Sequence, residues 1–297
     1  MPEVSVIIPS YNSAEYLTDA VESVLSQTFR EYEVLVVDDG STDNTEAVMS
    51  GYSGPVRCIR QRNSGVAAAR NRGIKESRGR YLAFLDADDT WRHDKLEAQV
   101  WALRRNSVFR ACYTAFTVVG PDLTPIGVKR SHREIASLED LLLRGNVIGS
   151  ICSVVCERSL FETAGGFDPS LSQCADWDMW VRISTLTEFL YLDEPLVTYR
   201  QHAANMSRDA CLLERDSLRV LDKGFDMPSL DIDLRRKRRA ALARNYMVLA
   251  GTYFQAGCYG DFVRCAARAV AMDFRQLGHL TAFPLRACSR LVPQRSV

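Results

Sequence analysis

Zinc-binding material is scarce in this chain: there are four histidines in 297 residues, and no Cys-x-x-Cys pair occurs among nine cysteines. The closest two cysteines, Cys152 and Cys156, have no histidine at ligand spacing beside them. An odd, scattered set of this kind reads as reduced thiols, most of them buried. No apolar run approaches the ~20 residues needed to span a bilayer. The opening MPEVSVIIPSYN lacks the basic start and long apolar core of a signal peptide. A reducing, cytoplasmic setting is therefore expected. Net charge is missing too, with 37 basic side chains against 37 acidic ones. That balance conceals a split. Residues 209–297 hold 15 Lys/Arg against 9 Asp/Glu, a surplus of +6, which leaves residues 1–208 at −6. The basic run RRKRR at 235–239 has no interleaved aromatics, which argues against a nucleic-acid partner. It reads either as a solvated helix face or as a contact with an anionic membrane surface.

What is present is ordinary for a soluble globular protein: 46% hydrophobic and 25% charged residues. VSVIIP (4–9), YEVLVVD (32–38), VRCIR (56–60) and RYLAFLD (80–86) are near-continuous apolar runs, the mark of strands covered on both faces. Helical patterns lie between them. SAEYLTDAVESVLSQ has Ser13 as a candidate cap, followed by STDNTEAVMS, SGVAAARNRGIKES and HDKLEAQVWALRRN. The alternation predicts an α/β fold with a mostly parallel sheet flanked by helices. RACYTAFTVV (110–119) adds a strand. After residue 208 strands give way to a helical extension, with helices over 233–257 and 261–273 and a weakly helical end.

Ligands of such sheets bind at the carboxyl ends of the strands. That rule sets YN (11–12), DDG (38–40) and DADD (86–89) on one rim. Asp86, Asp88 and Asp89 repel one another unless something neutralises them. Oxygen-preferring Mg²⁺ or Mn²⁺, keeping room for a diphosphate, is one answer. A helix cap at Asp89 or Thr90 is the other. In DDGSTD, Asp39 is either part of a capping turn or an acceptor for a nucleobase N–H. Tyr11 either packs or offers a face for base stacking. In ADWDMW, Asp176 and Asp178 lie two apart and so serve different purposes on a helix. Asp176 is either an N-cap or a general base. His202 is either structural or completes a carboxylate metal site.

Taken in order, IIPSYN, EVLVVDDGSTD, NSGVAAARNRG, YLAFLDADD, GGFDPSL, ADWDMW and YRQH resemble family 2 glycosyltransferases. These are inverting, nucleotide-sugar-dependent enzymes of the GT-A fold. The resemblance spans about residues 3–208 and implies a GT-A domain at 1–208. Its nucleotide-sugar-binding half would be 1–118 and its acceptor half 119–208, followed by the helical extension at 209–297. It further implies a nucleobase pocket at Pro9, Tyr11 and Asp39, and a diphosphate and sugar side at Asn63 and Arg70. Asp86 and Asp88 would be the DxD acids, with Asp88 the direct metal ligand. Asp176 would be the catalytic base and His202 a metal ligand. The family's Glu-Asp pair reads Ala175-Asp176 here, so the first acid is absent and the base is kept. The QxxRW motif and membrane helices of processive synthases are absent as well.

The expected reaction is transfer of a sugar from a nucleotide sugar, a UDP-sugar by the look of the pocket, to a hydroxyl of a glycan or lipid-linked acceptor. Trp177 or Trp180 would wall the acceptor, with at least one of the two packing into the core instead, and Trp91 would pack. Sugar-phosphate nucleotidyltransferases share the α/β layout but carry a glycine-rich, basic loop after the first strand, which SYNSAEY lacks. A catalytically silent scaffold using the helical extension is the reading from another class.

Overall fold

The computed structural model of the chain describes residues 1–202, 205 and 209–280. Its first stretch runs β1 (Val4–Ser10), α1 (Ala14–Leu25), β2 (Tyr32–Asp38), α2 (Thr45–Ser50), β3 (Val56–Arg60), α3 (Val66–Glu76) and β4 (Tyr81–Phe84). β1 and β4 are buried along their whole length, and the Ser5 hydroxyl inside β1 is satisfied by donating to Glu33 at 2.7 Å. Then follow β5 (Thr90–Trp91), α4 (Lys95–Arg105), β6 (Ala111–Val119), β7 (Pro125–Lys129), β8 (Ile135–Ala136), α5 (Leu138–Arg144), β9 (Val155–Glu157), α6 (Arg158–Ala164), α7 (Ala175–Ile183) and β10 (Phe189–Arg200).

All ten strands form one sheet in the order β3-β2-β1-β4-β9-β6-β10-β5, with β7 added to β6 and β8 to β10. β1 is parallel to β2 and β4, β2 to β3, and β6 to β10. β9 is antiparallel to both β4 and β6, so it reverses the direction twice. The six strands β1, β2, β3, β4, β6 and β10 therefore point the same way. Their carboxyl ends make a single rim, the edge where such sheets hold ligands.

Local chemistry differs from the sequence reading in places. Ser13 occupies the N-cap position of α1, as expected, but its side chain makes no capping bond and its hydroxyl donates to the Tyr11 carbonyl. Asp43 does that work from the next connection, accepting from the Ala14 amide at 3.0 Å with one oxygen and from the Thr45 amide with the other. One carboxylate thus satisfies orphan amides of two helices. Close packing explains particular glycines. A Cβ on Gly73 of α3 would lie 2.4 Å from Ile7 Cγ2 of β1, and one on Gly166 would lie 2.5 Å from Asn71 Oδ1. Asn71 in turn grips the backbone of Phe167, donating to its carbonyl at 2.8 Å and accepting from its amide at 2.7 Å. Phe84, Phe161, Phe167, Trp180 and Phe189 pack ring against ring with centroids 5.4–6.5 Å apart, which seats α7 on the sheet.

The chain divides into two compact units, one of residues 1–141 and 146–205, the other of 142–145 and the residues from 206 onward. Described elements of the second are α8 (Ala210–Phe225), α9 (Ile232–Arg236), α10 (Arg238–Gln255), α11 (Tyr259–Met272) and α12 (Leu277–Leu280). α8 is a helix that the sequence reading did not draw. The helix expected over 233–257 is interrupted at Lys237. Tyr246, Met247, Ala250 and Tyr253 of α10 bury against Cys265, Ala266 and Ala269 of α11. Arg264 and the Tyr253 hydroxyl both reach the Glu214 carboxylate at 2.7 Å. The weakly helical reading of the chain's end falls, beyond residue 280, outside the described residues.

Candidate active site

The DADD turn leaves β4 on the rim. Asp86 Oδ1 accepts from Arg70 Nη2 at 2.7 Å, and its amide donates to the buried Cys152 Sγ at 3.2 Å. Arg70 is itself buried, with its guanidinium carbon 5.6 Å from the centre of the Phe167 ring. Asp88 points to the end of β10, where its Oδ2 meets His202 Nε2 at 2.9 Å. Tyr16 of α1 stacks on the His202 ring at 5.2 Å, and Arg200 lies 4.7 Å from the Tyr16 ring centre. Asn205 adds its amide at 3.4 Å from Asp88 Oδ2 and takes the His202 backbone N–H on its own oxygen. Burial and the Asp86 charge raise the Asp88 pKa, against the pull of His202.

This pair suits a hard divalent ion. Two neighbouring ligands of an octahedral ion, each bound at ~2.1 Å, stand about 3 Å apart, close to the separation seen here. Both side chains keep some exposure, 25% for Asp88 and 14% for His202. Asp86, Asp89 and Cys152 also bring one ligand atom each within 4.8 Å of one another. Asp89 and Cys152 are buried, however, and Asp89 Oδ1 is taken by the Arg200 amide at 2.9 Å. Asp89 thereby ties the DADD turn to β10. Neither Asp89 nor Thr90 caps a helix: Thr90 begins β5, and α4 starts at Lys95.

Asp176 is the second residue of α7, not its cap. It accepts from Asn146 Nδ2 at 3.0 Å and from the Trp177 amide at 2.7 Å. Burial raises its pKa to about 6, partly opposed by the Arg70 charge and helped by Asp86. The carboxylate therefore lies within electrostatic reach of both. Asp178 has the different role that its spacing implies. It is held by Arg182 at 2.7 and 3.0 Å, and Arg182 also caps the carbonyls of Ala164 and Gly166.

Among the nucleobase candidates, Pro9 lies buried in β1 opposite Val37, and Tyr11 follows β1, half exposed. Asp39 is buried, with Oδ1 accepting from Gln61 Nε2 and the Ser64 amide and Oδ2 from the Gly65 amide, all at 2.8–2.9 Å. Asp39 thus ties the end of β2 to the connection after β3, on which Asn63 is exposed. Gly40, at φ +79°, lets that connection close in, since a Cβ there would lie 2.9 Å from the Asn63 amide.

The tryptophans correct the acceptor-wall expectation. Trp177 and Trp180 are both buried, and Trp177 Nε1 donates to the Leu141 carbonyl. Trp91 packs as expected, under Lys95 Nζ at 3.9 Å and bonded to the Cys152 carbonyl. Tyr16, Asn146, Arg200 and Asn205 were missed in the sequence, because each meets its partner only through the fold. Asn146, for one, is 30 positions from Asp176.

Residues 5–161 match the profile of glycosyl transferase family 2. The chain belongs to that family. A Bacillus subtilis glycosyltransferase named for teichuronic acid biosynthesis, TuaG, is 35% identical over 67% of this chain and 79% of its own length. Two solved structures share the fold. S. aureus TarS (residues 1–349) superposes with a TM-score of 0.64 at 20% identity, covering 92% of this chain and 83% of that one. The mannosyltransferase PcManGT of Pyrobaculum calidifontis, solved with GDP-Man and Mn²⁺, gives 0.65 at 18% identity over 98% and 84%. The fold is GT-A, as the motif order implied. The protein is a glycosyltransferase with relatives in polysaccharide biosynthesis.

Proposed function

We propose that this glycosyltransferase moves a sugar, with inversion, from a UDP-sugar to a hydroxyl of a glycan or lipid-linked acceptor in the synthesis of an envelope or extracellular polysaccharide. The observation that carries this reading is the placing of Asp176. Burial raises the pKa of this carboxyl to about 6, and the charges of Arg70 and Asp86, themselves an ion pair, both act on it. An acceptor hydroxyl has a pKa far above 7, so its proton must leave as attack proceeds. Asp176 takes that proton, a role worth ~10²–10⁴-fold in rate. Arg70 and the exposed Asn63 hold the diphosphate and sugar side, and Asp86 faces the donor. A Mg²⁺ or Mn²⁺ ion bound by Asp88 and His202 would supply charge neutralisation for the departing diphosphate. With one base and no covalent intermediate, the displacement inverts the anomeric centre. Residues 1–118 form the nucleotide-sugar half in this reading, and residues 119–208 the acceptor half.

The uridine preference rests on Asp39. A carboxylate offers about four lone-pair positions, and three protein donors occupy all but one of them. The remaining position matches the single N–H on the pairing edge of uracil, which thymine shares, and not the two adjacent donors of guanine. Tyr11 supplies the stacking face. TarS has been solved with UDP-GlcNAc, whereas PcManGT was solved with GDP-Man.

The test is a donor panel of UDP-, GDP- and dTDP-sugars with Mg²⁺ or Mn²⁺. Metal-dependent release of UDP is expected, lost in Asp88→Ala and in Asp176→Asn, with Asp176→Asn still binding donor. Donor binding without turnover in the wild type would favour the silent scaffold. Failure to bind any nucleotide sugar would overturn the site reading.

A further inference from the structure

β6 ends on the same rim as β4 and β10, and the chain then turns back into β7, so the β6–β7 hairpin leaves from the edge that carries Asp86, Asp88 and His202. Every residue from Pro121 to Arg130 is exposed. Three are large aliphatics: Leu123 (48%), Ile126 (61%) and Val128 (47%). Ile126 and Val128 lie two apart in β7 and so project from one face. Leu123 stands at the tip with φ +66°. The turn closes through Leu123 N–H to the Gly120 carbonyl at 3.0 Å and Gly120 N–H to the Thr124 carbonyl at 2.8 Å, with Asp122 accepting from the Thr124 hydroxyl. Such a left-handed position is one where glycine or asparagine is at ease and a bulky side chain is strained. A leucine held there, and held in water, is costly twice over. Strain of this kind collects at functional segments.

Chemistry selects the occupant. The exposed apolar groups are aliphatic, and no aromatic ring stands among residues 120–130 to stack on a sugar. β7 is a five-residue edge strand that starts at Pro125 and ends at Lys129, features that discourage pairing with a second chain. Immediately after the apolar tip come Lys129, Arg130, His132 and Arg133, so that residues 121–133 carry three constant cations against the single acid Asp122. Arg130 also meets Asp193, and Arg133 lies 3.5 Å from Asp140. Those pairs leave Lys129 as the cation without an ion pair among the described residues, and an aliphatic tip backed by such a lysine is complementary to the acyl–headgroup boundary of an anionic bilayer. The four arginines of the RRKRR run are engaged within the helical unit. Arg235 and Arg239 donate to backbone carbonyls, Arg236 pairs with Asp233, and Arg238 pairs with Asp222 and Asp226.

We propose that the β6–β7 hairpin is a membrane-docking wedge, with Leu123 and Ile126 entering an anionic bilayer, Lys129 meeting its phosphates and the donor rim held at the surface. Docking does not depend on which reaction the rim performs. Its failure and a failure of the transferase reading are therefore separable.

The experiment is co-sedimentation of the full chain with phosphatidylcholine vesicles, with and without phosphatidylglycerol. Wild type should bind only the anionic vesicles. Leu123→Gly with Ile126→Ser should lower partitioning by about ten-fold or more, and Lys129→Glu by about five-fold or more. Leu123→Gly alone should weaken binding while raising the melting temperature, because it removes the left-handed strain; a merely structural role for Leu123 would not separate the two. UDP-sugar hydrolysis without vesicles should be unchanged in these variants. Wild type that ignores anionic vesicles overturns the proposal. So does binding lost on neutralising Arg235 and Arg236 but kept in the hairpin variants. A concentration-dependent dimer that Leu123→Gly converts to monomer, with vesicle binding intact, would assign the hairpin to self-association instead.

Discussion

Asp176 is placed where ionisation is unfavourable, and the general-base role proposed for it nevertheless requires the ionised form. Its folded-state pKa of about 6 lies above the ordinary carboxylate value. The stability linked to it is therefore full below pH ~4 and lost as pH rises through 6. Asp176→Asn should abolish turnover yet raise stability at pH 7–8 by on the order of 2 kcal/mol, with the gain vanishing near pH 4; urea denaturation across pH checks the sign. Wild-type kcat/KM should rise with pH along a limb with an apparent pKa near 6. A gain over wild type of the same size at pH 4 and at pH 8 would show that the carboxylate is not desolvated. Asp39 marks how far single residues were legible. Its adjacency to Asp38 and Gly40 singled it out, but its three protein donors come from residues 61–65, across a strand pairing that no local pattern displays.

At the scale of elements, one side chain couples α3 to the segment ahead of α7. Asn71 holds both backbone groups of Phe167, whose ring faces Arg70 and packs with Phe84 and Trp180. Asn71→Ala would strand a buried amide and carbonyl, so a loss of roughly 2–3 kcal/mol is expected. Gly166→Ala would push a Cβ into the same amide group. Because the two changes break one contact, the double variant should lose much less than the sum; additive losses would show that they act apart. β1, β2 and β4 were readable because burial on both faces leaves apolar runs without alternation, whereas β3, also expected to be covered on both faces, is fully buried only at Val56 and leaves Cys58 and Arg60 exposed. Their short partners were not. β5, β8 and β9 have two or three residues each, too few for any periodicity, and exist because longer neighbours present open edges. α8 escaped because its buried stripe is itself partly polar, with Asp216 and Ser217 among the buried residues, so only the second unit's packing reveals it.

For the whole molecule, a ligand bound only by the folded state shifts the unfolding equilibrium by mass action. Mn²⁺ at a hundred-fold excess over its Kd should add about 2.7 kcal/mol, seen as a rise of several degrees in melting temperature. EDTA should reverse the rise, and Asp88→Ala should not show it. An equal shift in that variant would place the ion elsewhere. No helix among the described residues is long and apolar enough to cross a membrane.

By itself the sequence determined the strand–helix alternation, the family and the rim on which YN, DDG and DADD stand, because continuous apolar runs and strand-end motifs are local signals. Only the tertiary structure decided the rest. It buried both tryptophans of ADWDMW, engaged the arginines of the basic run and set His202 against Asp88 from 114 positions away. It also exposed Leu123 at a hairpin tip. Those outcomes depend on which strands lie side by side, and side-by-side placement is set by the summed burial of the sheet and its helices, not by any one segment's composition.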